Sequence, residues 1–185
     1  TIEHASLTTT PAGGQISSFR PGLLEMGATY DYTLSIDGVA QKTAAPAKFR
    51  TQALWEWRTP PPDFKFITGS CAYINDPPFD RPGTPYGGGL EIFDAMAAQK
   101  ADAMLWLGDT VYLRDQEVDS PSAIRYRYRF SRGAPELQRF LGATSHYAIW
   151  DDHDFGPNDA DGSYPLKHVT TDLFKVQPRR SGLQQ

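Results

Sequence analysis

At 185 residues, with 39% hydrophobic and 12% aromatic residues, the chain is long enough for one medium core or two small ones and too apolar to stay disordered. A formal net charge of -4 argues against the broad basic footprint of nucleic-acid-binding proteins, although clustered carboxylates can still take an anionic substrate through bound cations. The single cysteine, Cys71, excludes an internal disulfide, no apolar run reaches the roughly 20 residues of a membrane span, and no signal peptide is visible at Thr1-Ile2-Glu3-His4.

In chain order, Gly13-Gly14 and Pro21-Gly22 mark early turns. Thr29 to Ile36 then alternates aromatic or aliphatic with polar residues, which predicts a strand. Asp37-Gly38 supplies a hairpin turn, Val39 to Gln41 returns from it, and Ala47 to Thr51 makes a further short strand. Short strands with frequent turns suggest a β-sandwich, of which roughly half is present, since a whole one takes about 100 residues. Residues 1–52 are therefore assigned to a partial β-domain, and 53–62, ending in Pro60-Pro61-Pro62, to a stiff extended linker.

Beyond the prolines the pattern changes. Phe64 to Thr68 reads as a short strand ending at Gly69-Ser70-Cys71, followed by a loop rich in Pro and Gly. Leu90 to Lys100 carries Ile92, Phe93, Met96 and Ala97 at helical spacing, with Glu91 near its start. Ala103 to Leu107 is a continuous apolar run, which predicts a strand buried on both faces, and it stops at Gly108-Asp109. A helical region spans Ser122 to Leu141 with an interruption near Gly133, and His146 to Trp150 is a third strand that stops at Asp151-Asp152-His153-Asp154. Strand, helix, strand, helix, strand predicts an α/β fold with a parallel sheet over residues 63–175.

Three strands thus end in potential metal ligands: Cys71, then Asp109, then Asp151, Asp152 and His153. The carboxyl ends of parallel strands share one edge, so residues far apart in sequence converge there. Packed carboxylates repel unless one is protonated or a cation lies between them. Oxygen ligands with a histidine and a thiolate suit a mixed hard and borderline metal. Each residue alone has a plainer reading: Asp109 as a turn or cap residue, Tyr112 as a half-buried aromatic, Cys71 as a small core residue, His153 as a surface histidine. Their grouping shifts the balance to a site.

Gly69-Ser70-Cys71, Gly108-Asp109-Thr110-Val111-Tyr112 and the tract from Trp150 to Asp159 resemble, in order, the motifs of the alkaline phosphatase D family of calcineurin-like metallophosphoesterases. The resemblance implies the N-terminal part of an αββα metallophosphoesterase-like sandwich, preceded by a partial immunoglobulin-like β-domain. It implies hydrolysis of phosphate monoesters or diesters with iron and calcium as metals, other divalent ions being alternatives, and an extracytoplasmic location. Asp109 would bridge metal ions, Tyr112 and Cys71 would bind iron, Asp152 would bind the second metal, and His153 would steady the transition state or the leaving group. Asp151 and Asn158 would lie behind these ligands. Direct attack on phosphorus by an activated water needs no covalent enzyme intermediate.

The family's catalytic domain is considerably longer than the stretch of chain beyond Pro62, and residues 176–185 read as a divergent polar tail. The expectation is a truncated chain of impaired activity. Its sheet would expose an apolar face and favour an oligomer or a complementing chain. Two other readings compete. One is an inactive fragment serving as an interaction module. The other is a nucleic-acid surface at Arg125-Tyr126-Arg127-Tyr128-Arg129, which a helix would scatter around its circumference.

Overall fold

The structure, a computed structural model, describes Phe19 and residues 21–175. The turn at Gly13-Gly14 and the tail over 176–185 lie outside the described residues. The chain divides into two compact units, one of residues 1–43 and 47–63, the other of 44–46 and 64–185.

In the first unit, β1 (Thr29–Asp31) pairs antiparallel with β4 (Lys48–Arg50), and the rings of Tyr30 and Phe49 stack across the pair at 5.4 Å. β2 (Ser35–Ile36) and β3 (Val39–Ala40) form a hairpin whose Asp37 and Gly38 both have positive φ, 49° and 80°, as a type I′ turn requires. The stretch from Thr29 to Ile36 is therefore two strands in two ladders, not one. No described residue before Ile74 is buried, so no covered face holds one register along its whole length.

The second unit is α/β. β5 (Phe66–Gly69), β6 (Ala103–Leu107) and β7 (Ser145–Ile149) form a parallel sheet in that order. Between them lie α1 (Glu91–Ala98), a 3₁₀ turn (Asp115–Glu117), α2 (Pro121–Gly133) and α3 (Pro135–Ala143). α4 (Asp152–Phe155) and α5 (Lys167–Lys175) follow. Ser120 caps α2 by accepting from the Ala123 N–H, and Pro121 fits its first turn. Gly133 ends α2, and Pro135 opens α3 one residue beyond Ala134.

Parallel strands laid side by side in sequence order put both right-handed crossovers on the same face. Phe93 of α1 and Leu137 and Phe140 of α3 accordingly pack on Met104 and Trp106 of β6 in one cluster. Val111, Leu113, Ile124, Tyr128 and Val169 form a second cluster, joining the loop after β6 to α2 and α5.

Among the described residues, no helix covers the other face of the sheet in this way. Phe66 is 52% exposed, Leu107 50%, Tyr147 46% and Ile149 60%. The run from Ala103 to Leu107 is thus not buried on both faces. Met104 and Trp106 point into the core, Ala103 and Leu105 are half-buried, and Leu107 faces solvent, because both crossover helices lie on one side. Among the described residues no helix is long and apolar enough to cross a membrane.

Candidate metal centre

The site lies where the three strands stop. Past β5 and β6 the parallel pairing continues for two more bonds, from the Cys71 N–H to the Gly108 carbonyl (3.3 Å) and from the Ala72 N–H to the Asp109 carbonyl (2.9 Å). This brings Cys71 beside Asp109. Cys71 and Asp109 both have left-handed backbones, φ 58° and 53°, and Gly108 has φ 97°. Such conformations are unfavourable for side-chain-bearing residues, and they cluster where a fold aims functional groups.

Asp109 is buried, and its two oxygens differ. Oδ2 accepts from the Tyr112 hydroxyl at 2.8 Å and from the Cys71 thiol at 3.5 Å. Oδ1 is buried and has no hydrogen-bond partner. His153 repeats the pattern: its Nδ1 is buried and unpartnered, and its ring lies 4.2 Å from that of Tyr112. Ligand atoms of Asp109, Asp152 and His153 all lie within 4.8 Å of one another. A buried polar atom without a partner carries the full desolvation penalty. Asp109 and His153 each keep one such atom without a protein partner, in the same group as Asp152.

These side chains fit a metal ion by composition as well as by position. Two carboxylates and an imidazole are donors for hard or borderline cations, and three protein ligands leave positions open for water or substrate. Burial, reinforced by Cys71 and Asp109, pushes the Tyr112 phenol well above its ordinary pKa. It is held protonated on Asp109, and a phenolate there would need an opposing positive charge. The Cys71 thiol is exposed rather than part of the core.

The remaining candidates sit further out. Asp151 is the N-cap of α4, its carboxylate accepting from the Asp152 N–H at 3.0 Å. Asn158 is exposed and donates to Asp159, whose backbone N–H in turn donates to Asp152 Oδ2 at 2.6 Å. Asn158 therefore reaches Asp152 only through Asp159.

A family model described as PhoD-like phosphatase matches residues 66–181, a span that contains every strand end just described. The chain belongs to the PhoD-like phosphatase family. No curated protein and no solved structure gives a match. Membership makes this chain, by family, a hydrolase of phosphoric esters, and the family is metal-dependent, in keeping with the Asp/His group at the strand ends.

One residue of this PhoD-like site escaped the sequence reading. Asp154 is 1% exposed and ties two strand ends together. Its Oδ1 accepts from the Thr110 backbone N–H (2.8 Å) and hydroxyl (2.6 Å), and its Oδ2 from the Asp151 N–H (3.2 Å). Burial raises its pKa, opposed by these same hydrogen bonds. The signal was legible: Asp151 and Asp154 are spaced as a capping box, and the structure forms one.

Proposed function

We propose that Asp109, Asp152 and His153 hold the metal of a phosphoesterase, flanked by Tyr112 and Cys71, and that the substrates are phosphate monoesters or diesters. The observation that carries this reading is that Asp109, Asp152 and His153 bring ligand atoms within 4.8 Å of one another, Asp109 and His153 each also holding a buried, unpartnered ligand atom. A bound cation supplies Lewis-acid charge that activates water and offsets charge on the phosphoryl oxygens. Asp109 sets the position of that charge from a backbone that the Gly108 turn fixes. Tyr112 keeps one Asp109 oxygen engaged and leaves the other without a protein partner. The Tyr112 ring, 4.2 Å away, braces the His153 imidazole beside Asp109 and Asp152.

Iron and calcium are the metals proposed, on the resemblance and on the mixed phenol, thiol and carboxylate surroundings. Three converging ligands among the described residues favour modest metal retention and weak turnover by this chain alone. The proposal extends to an extracytoplasmic location, to an immunoglobulin-like character for residues 1–52, and to residues 63–175 as the catalytic part.

The test is elemental analysis of the dialysed chain beside hydrolysis of a chromogenic phosphate ester. Asp109→Ala is expected to lose metal and turnover together. Undiminished turnover in that variant, or a wild-type chain that retains no metal above buffer background, would overturn the assignment.

A further inference from the structure

Immediately beside the metal group lies a shallow cleft of about 310 Å³, open to solvent on most of its boundary and lined by Tyr73, Tyr86 and Tyr112. That volume is at the small end of the range for ligand sites and would cover one face of a single ring system. The Tyr112 ring is shared, with His153 at 4.2 Å and Tyr73 at 5.2 Å. The cleft is therefore one aromatic ring away from the atoms proposed to face the phosphorus.

Two of the walls have no hydroxyl to spare. Tyr73 donates its hydroxyl to Asp80 Oδ1 at 2.7 Å, and Tyr112 donates its own to Asp109. What these residues offer to the cleft is ring surface.

The walls are also held in place before any ligand arrives. Asn75 pins the Tyr86 backbone from both sides, accepting from its N–H (2.9 Å) and donating to its carbonyl (2.6 Å). Tyr73 meets Tyr86 edge-on at 5.1 Å, and the Arg114 guanidinium lies 4.2 Å from the Tyr73 ring centre. Arg114 is itself fixed by Asp80 and by the Ile74 and Tyr112 carbonyls. Arg81 covers the Tyr86 ring at 4.1 Å. The three rings are thus held in place by contacts of their own.

We propose that this cleft seats a flat ring on the alcohol side of the ester, so that the preferred substrates are phosphate esters of aryl alcohols or nucleosides rather than of simple alkyl alcohols. The inference rests on the proposed phosphate position at Asp109, Asp152 and His153, and it adds what the other end of the substrate must look like.

Binding of adenosine 5′-monophosphate, phenyl phosphate and ethyl phosphate to the metal-loaded chain, measured by calorimetry, tests it without relying on turnover. Both ring-bearing esters are expected to bind roughly tenfold or more tightly than ethyl phosphate, the size of stacking one base on an aromatic side chain. The stronger of the two names the ring class. Tyr86→Ala, at a side chain 45% exposed and outside the core, should bring both to the level of ethyl phosphate, whereas Tyr86→Phe should keep the preference. Equal affinity for all three ligands, or a preference that survives Tyr86→Ala, would overturn the proposal. Adenosine without phosphate separates the two readings. If it perturbs Tyr86 in nuclear magnetic resonance spectra while Asp109→Ala leaves metal content unchanged, the ring seat stands and the metal assignment falls; metal loss in Asp109→Ala with no ring preference gives the reverse.

Discussion

Gly108 is where one missing side chain matters most. A β-carbon built there would stand 2.6 Å from Asp151 Cβ, and its φ of 97° is one that other residues rarely adopt. Gly108→Ala must push the β6 and β7 ends apart or change the turn that aims Asp109. It should destabilise the fold by about 1–3 kcal/mol in denaturant unfolding and weaken metal retention together. Normal stability with normal metal content would show that the turn does not position Asp109. Much of this site was legible from residue types alone, since Cys71, Asp109, Asp152 and His153 all come directly after strand-like runs. Arg127 was not. It lies within an Arg-Tyr alternation that reads as a solvated helix, yet it is 0% exposed, paired with Glu117 at 2.8 Å and Asp76 at 3.1 Å. Its carboxylates come from 10 and 51 positions away, and no local pattern announces such partners.

At the scale of elements, β7 carries a histidine whose burial has a measurable consequence. His146 Nδ1 accepts from the Trp106 indole N–H at 3.0 Å, which leaves Nε2 as the donor to the Phe140 carbonyl at 3.2 Å. Burial lowers its pKa to about 4, against the weaker opposing effect of the Phe140 carbonyl. Because the folded value lies below the unfolded one of about 6.5, the neutral ring favours the fold at neutral pH. That contribution is full above about 6.5 and is lost as pH falls through the folded value. Stability should therefore fall between about pH 6.5 and 4 by on the order of 3 kcal/mol, and His146→Gln, which can still accept and donate, should flatten that slope. An unchanged slope would mean that His146 is not the group titrating. The strand itself was legible from its apolar run and its acidic stop. The parity of β6 was not, because five apolar residues in a row look the same whichever face is covered; only the placement of α1 and α3 decides it.

For the molecule as a whole, the one-sided sheet is the feature with the widest consequence. Phe66, Leu107, Tyr147 and Ile149 lie on the open face, each about half exposed. Pairing places Leu107 beside Ile149 and sets Leu105 between Thr68 and Tyr147, while Phe66 lies beside Ala103, all on that one face. Four such residues present roughly 400 Å² of apolar area, about where a patch ceases to be ordinary protein surface and begins to drive association. The 185-residue chain should therefore self-associate as its concentration rises, in sedimentation experiments at constant pH and salt. Phe66→Lys combined with Tyr147→Glu places opposite charges on the outer strands of that face and leaves the Met104 and Trp106 side untouched. The double variant should stay monomeric over the same range and keep its helix and strand content. If wild type and variant sediment alike at every concentration, the open face is not what joins the chains. Association that disappears together with the circular dichroism signal would instead show that these residues are needed for the fold.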